Sequence, residues 1–159
     1  DHAGAAYDLC DTTACQVYGG KTAEHPASNA AVAATEREVR THGGAPAFTQ
    51  FSASSGGWTA PGSQRYLRAK RDPYDGWSGN PVHDWKVKVT DRAIERKYPA
   101  IGNLRRIVVN SRDGHGQWGG RIQTVTLVGN RGKVRMSGDD LRWDFGLRST
   151  YLTVRVARR

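Results

Sequence analysis

The alternation of apolar and polar positions is clearest in the second half of the chain. Residues 85–89 (Trp85, Lys86, Val87, Lys88, Val89) alternate apolar with basic, which is the period of a half-buried strand. Residues 104–110, 121–128 and 133–136 read as further strands, and 150–156 alternate again as a last one. Earlier in the chain, residues 39–41, a Gly43-Gly44 turn and residues 47–53 predict a hairpin, and 66–70 predict a short strand before Asp72-Pro73. Helix signals are fewer. Ser28 is a candidate cap for an alanine-rich helix over 29–36. Thr90 or Asp91 caps a helix to Tyr98 that Pro99 stops. Ser137 caps a third, with Asp139 and Asp140 at its positive end and Gly146 past its finish. The pattern predicts a β-rich α+β fold of mixed strands, six to eight in all, with two or three short helices.

Composition narrows the class. A chain of 159 residues and 17.4 kDa fits a single domain spanning 1–159. Mean hydropathy is −0.67, and no run of 18 apolar residues exists to cross a membrane as a helix. Nineteen Gly and six Pro without a period exclude collagen and point to a loop-rich fold, while five Trp, six Tyr and three Phe argue for a folded core. Charge is uneven. Residues 1–64 carry three basic and six acidic groups, whereas 65–159 carry 21 and nine, a net of +12. Such a face attracts polyanions such as nucleic acid, anionic wall polymer or a lipid surface. A solvated basic surface that keeps the chain soluble explains it equally well. The opening residues are short and polar, unlike a signal peptide, and there is no initiator Met, so the chain is expected to begin inside a longer precursor.

Two segments offer chemistry. Cys10 and Cys15 stand in a C-x4-C spacing with His2 upstream. Zinc wants four N, S or O donors, so a metal here needs His2 and one more ligand; a disulfide in an oxidising compartment, or free thiols, fit the same spacing. The second segment runs from Gln50 to Thr59 and contains Ser54-Ser55-Gly56-Gly57, where small residues let backbone and hydroxyls approach a ligand. A tight turn without function accounts for those glycines too. A serine nucleophile is disfavoured, because the G-x-S-x-G elbow is missing and no histidine sits in a recognisable triad pattern. No helix-turn-helix, RRM-like or zinc-finger pattern supports nucleic-acid binding.

The combination resembles the SpoIID/LytB family, the stage II sporulation protein D and amidase-enhancer domains. The residues that carry the likeness are Asp8-Leu9-Cys10-Asp11-Thr12-Thr13-Ala14-Cys15-Gln16-Val17-Tyr18-Gly19-Gly20, then Ala31-Val32 with Thr35, then 39–44. It continues through Phe51-Ser52-Ala53-Ser54-Ser55-Gly56-Gly57 with Thr59, Tyr66-Leu67, Asp72-Pro73, residues 137–142 and residues 146–150, in order along nearly the whole chain.

The resemblance implies a lytic-transglycosylase-type domain acting on peptidoglycan glycan strands in bacterial cell-wall remodelling, secreted or wall-associated. In that family one glutamate acts as general acid and then base while the sugar's own C6 hydroxyl closes an anhydro ring. That glutamate lies in an N-terminal helical segment, which this chain is expected to lack. Glu24, Glu36, Glu38 and Glu95 are the glutamates present, none in the family's catalytic context. Whether the chain is an enzyme is thus left open, the alternative being a non-catalytic wall- or glycan-binding module or amidase enhancer. Family substrate contacts would fall on Gln16, Thr35, Phe51 and Ser55, with Ser54 and Thr59 beside them. Phe51 stands where relatives often have tyrosine. Family zinc would fall on His2, Cys10 and Cys15, with a Cys10–Cys15 disulfide as the alternative; Ala14 replaces a histidine found in relatives. Partners implied are glycan strands or anionic wall polymer, and the missing part of the same precursor. Gln16, Thr35, Phe51 and Ser55 are expected to converge on a groove walled by a 46–54 strand and the 54–59 loop.

Overall fold

A computed structural model describes residues 19–156. The chain divides into two compact units, residues 1–48 and 49–159, and the fold class is mixed α+β.

In the first unit, helix α1 spans Pro26–Ala34. It starts three residues earlier than Ser28 suggests, because Pro26 occupies the first helical position and His25 caps it, its Nδ1 accepting from the Ala27 N–H at 3.2 Å. Strands β1 (Thr41–His42) and β2 (Ala45–Pro46) form a two-residue-turn hairpin. Gly43 and Gly44 both take positive φ (58° and 81°), which that tight turn requires. The predicted strand over 46–54 is not formed. Beyond β2, Ala47 N–H donates to the Arg40 carbonyl and the Gln50 side chain accepts from Ser63 N–H at 2.8 Å, without a strand ladder among the described residues.

The second unit holds the core. Helix α2 (Asp91–Lys97) is capped by the Thr90 hydroxyl, carries Asp91 in its first turn and Arg96 and Lys97 in its last, and ends before Pro99. Strands β3 (Leu104–Arg112), β4 (Ile122–Gly129) and β5 (Lys133–Ser137) form an antiparallel meander in the order β3-β4-β5. Register puts Ile107, Leu127 and Val134 side by side, and likewise Val109, Val125 and Met136. These rows face the core with Ile94, Ile101, Ile122 and Leu141. Ile101, Val125 and Leu127 are fully buried, each stabilising by about 1.5–3 kcal/mol over exposure. The opposite face alternates out of step and presents Arg106, Lys133 and Arg135 to solvent.

Helix α3 (Gly138–Asp144) begins at a capping box: the Ser137 hydroxyl accepts from Asp140 N–H, and the Asp140 carboxylate accepts from Ser137 N–H. Its first residue lies so near β4 that a Cβ on Gly138 would come within 1.9 Å of the Ile122 carbonyl oxygen.

The strands expected at 66–70, 85–89 and 150–156 are not found, which leaves five among the described residues rather than six to eight. Among the described residues no helix is long and apolar enough to cross a membrane.

Candidate functional site

The Ser54–Gly57 turn is organised by a carboxylate from twenty residues away. Gly57 O accepts from Asp72 N–H, and Thr59 N–H and Lys70 O pair at 2.8 Å, so residues 57–59 and 70–72 run as a short antiparallel rung with a bridge at Trp58 and Arg71. The turn after Pro73 then folds Asp75 back beneath the serines. Asp75 is buried, and its Oδ1 accepts from Ser55 N–H at 2.7 Å while Oδ2 accepts from Gly56 N–H at 3.0 Å. The Ser54 hydroxyl donates to the same carboxylate (2.7 and 2.9 Å), and His83 Nδ1 meets Oδ2 at 2.5 Å.

Burial alone would raise the Asp75 pKa. The hydrogen bonds from His83, Ser54, Ser55 N–H and Gly56 N–H outweigh it and hold the carboxyl at about 2. A second carboxylate, Asp72, accepts the Ser55 hydroxyl at 2.9 Å and the Tyr74 N–H at 3.2 Å.

A cation closes the other side. Arg121, at the entry to β4, donates to the carbonyls of Ser55 and Trp58 (both 2.9 Å) and to the Ser149 hydroxyl (2.7 Å), and lies over the Tyr151 ring. Burial draws its pKa down from the usual guanidinium range, against the pull of Asp113 and Tyr151. The Tyr151 ring supports Gly56 from below: at φ 70°, a Cβ there would lie 2.7 Å from ring carbon Cδ1. Three segments far apart in sequence therefore fix one turn.

This arrangement decides some chemistry. The Ser54 hydroxyl donates to a carboxylate, and among the described residues no imidazole is hydrogen-bonded to take its proton, so it lacks the partner that activates a nucleophile. Asp75 is ionised at any physiological pH, the reverse of the raised pKa a general acid needs. Its role is to brace the turn.

The expected site residues fall in both units. Gln16, His2, Cys10 and Cys15 lie outside the described residues. In the first unit, Thr35 ends α1 and its hydroxyl donates to the Ala31 carbonyl at 2.9 Å. A cleft of about 730 Å³ there is lined by Glu24, His25, Asn29 and Glu36 among others, with Asn29 Nδ2 donating to Glu24 at 3.1 Å. In the second unit, Ser54 and Ser55 sit together on the braced turn, Ser55 itself buried. Thr59 Oγ1 accepts from Lys70 N–H at 2.9 Å, and Phe51 projects into solvent, 90% exposed.

Sequence reasoning passed over Asp75, His83, Asn80 (whose amide donates to the Asp75 carbonyl at 2.7 Å) and Arg121. The first three stand in a segment dense in Gly and Pro that reads as a plain connection; nothing in the pattern singled out Arg121. Among the described residues no group of three His, Cys, Asp or Glu is placed to hold a metal.

A model of the SpoIID family, described as stage II sporulation protein, matches residues 1–42. Over those residues the chain is similar to that family, and the matched stretch contains Cys10, Cys15, Gln16 and Thr35. No curated protein and no solved structure matches the chain.

Proposed function

We propose that this chain is a bacterial cell-wall domain of the SpoIID type that engages peptidoglycan glycan strands, within a lytic-transglycosylase-type reaction. The observation that carries the reading is the SpoIID match over residues 1–42. The braced Ser54–Gly57 turn, with its neighbouring carboxylates and exposed aromatic rings, supports it as a preformed binding surface.

A non-catalytic role as glycan-binding module or amidase enhancer is favoured by one specific observation. Asp75, the buried carboxylate among the described residues, has its oxygens engaged by the Ser54 hydroxyl, the Ser55 and Gly56 N–H groups and His83, which favours its charged form and not that of a proton donor to a glycosidic oxygen. Glu24, lining the cleft of the first unit, is then the carboxylate to test as acid.

The experiment is incubation of the 159-residue chain with glycan strands stripped of stem peptides, followed by chromatography for anhydro-muramyl ends and by co-sedimentation. Retention on the strands without anhydro products is the result expected of a binding domain. Anhydro products abolished by Glu24→Gln would make the chain a transglycosylase in its own right, and no retention at all would overturn the glycan reading.

His2, Cys10 and Cys15 supply one nitrogen and two sulfur donors of the kind zinc takes, with a fourth ligand still required; bound there, the ion would cross-link that segment. The alternative is a Cys10–Cys15 disulfide in an exported chain. Metal analysis beside thiol alkylation and intact mass decides between them. Two alkylatable thiols with no zinc would exclude both.

A further inference from the structure

The loop that carries Asp75 also holds two aromatic rings out of the core. Tyr74 is 82% exposed and Trp77 is 66% exposed, and both line an open hollow of about 580 Å³ with Asp72, Asn80 and Val82. That volume falls in the range of small-ligand sites. Rings this exposed normally cost solubility, and exposed apolar surface gathered around a hollow marks recognition.

The rings stand on a rigid base. Trp77 N–H donates to the Tyr74 carbonyl, and Asn80 N–H to the Trp77 carbonyl at 3.0 Å. The Asn80 amide ties the turn to the Asp75 carbonyl at 2.7 Å, and its Oδ1 accepts from Val82 N–H at 3.1 Å. Trp77 lies over the α-carbon of Gly79, where a Cβ would come within 1.9 Å of the indole. The indole thus packs against Gly79 while most of its surface stays exposed. Asp72 uses one oxygen for the Ser55 hydroxyl and the other for Tyr74 N–H, which leaves lone pairs on both for a ligand donor.

Exposed aromatic rings lining a hollow beside a hydroxyl-accepting carboxylate match a pyranose. Its axial C–H face is apolar and faintly positive and sits on the negative face of an aromatic ring, while its equatorial hydroxyls donate sideways. The carboxylates at the rim disfavour an anionic occupant. We propose that Tyr74, Trp77 and Asp72 form a subsite that stacks on and orients one neutral pyranose ring. The proposal rests on the glycan reading above and names the residues that grip the sugar.

The test is titration of the 159-residue chain with peptide-free N-acetylglucosamine oligosaccharides, followed by tryptophan fluorescence. Wild type is expected to show saturable quenching. Trp77→Ala should remove most of that signal and weaken binding about tenfold by calorimetry, Tyr74→Ala should weaken it less, and Trp77→Phe should restore part of the affinity. Gly79→Ala, which displaces the indole without deleting it, should weaken binding in the same direction. Urea midpoints of all four variants close to wild type would show that a folded surface was tested; any variant whose midpoint falls is replaced in the comparison by Asp72→Asn, expected to weaken binding severalfold. Wild-type binding that survives both alanine variants unchanged would overturn the subsite and leave the glycan reading intact. Absence of saccharide binding by wild type would overturn the glycan reading itself. Quenching by free stem peptide but not by oligosaccharide would make the occupant a peptide and end the proposal.

Discussion

Without the Asp75 carboxylate, the Ser55 N–H, the Ser54 hydroxyl and the His83 imidazole would lose the acceptor they share, and the Gly56 N–H would keep only its 3.3 Å bond to Ser54 Oγ. Asp75→Asn keeps the shape but turns N–H against N–H at one oxygen position. A destabilisation of roughly 2–4 kcal/mol is expected from the unsatisfied groups, read as a fall in the urea midpoint. The carboxylate also predicts a pH dependence. Its folded pKa of about 2 lies below the ordinary value of 3.8, so its contribution is complete above about pH 4 and is lost as pH falls toward 2. The span corresponds to about 2 kcal/mol at most. Asp75→Asn should flatten the stability profile across that interval, and an unchanged acid limb would assign it to other carboxylates. None of this was visible in the sequence, where Asp75 reads only as part of a Pro/Gly turn. A buried anion becomes special through groups that folding delivers from positions 54–56 and 83.

Elements were legible where period and partner coincide. The 104–110, 121–128 and 133–136 patterns became β3, β4 and β5 because each found a neighbour with the same apolar spacing on the same face. Residues 85–89 alternate just as well, yet Val87 remains 45% exposed and no strand among the described residues pairs with them. Alternation fixes which face a strand would bury but not whether a neighbour exists. Residues 150–156 show a related outcome. Thr150 O accepts from Ile122 N–H, but the Leu152 carbonyl is taken by the Arg112 guanidinium, and a side chain replaces the next rung. Caps were read well when a hydroxyl stood before a regular run, as at Thr90 and Ser137. At α1 the proline outranked Ser28. The Ser137 box gives an element-scale prediction: Ser137→Ala should cost about 1 kcal/mol, while Ser137→Asp should retain most of the stability. Thermal melts of the two variants check this, and equal losses would show that the hydroxyl is not what starts the helix.

At the scale of the molecule, charge recognition predicts a response to salt that sugar recognition does not. The sheet face away from the core carries Arg106 on β3 and Lys133 and Arg135 on β5, the first two aligned across Val128 of β4, within a half of the chain that has a net charge of +12. An anionic wall polymer drawn to this face is held by Coulomb attraction across solvent, whose range shrinks from about 10 Å at 0.1 M salt to about 3 Å at 1 M. Stacking of a neutral pyranose on Trp77 involves no net charge and is not screened. The chain should therefore release a teichoic-acid-type polyanion as NaCl is raised over that range, while its affinity for neutral oligosaccharide stays within about twofold. Changing Arg106, Lys133 and Arg135 together to Gln should weaken polyanion binding severalfold at 0.1 M salt and leave saccharide binding alone, since none of the three lines the hollow around Trp77. Co-sedimentation and calorimetry with wild type and both variant sets, the sheet-face triple and Trp77→Ala, separate the two modes. Polyanion binding that ignores salt, or that falls with Trp77→Ala rather than with the triple, would mean that the basic face serves solubility alone.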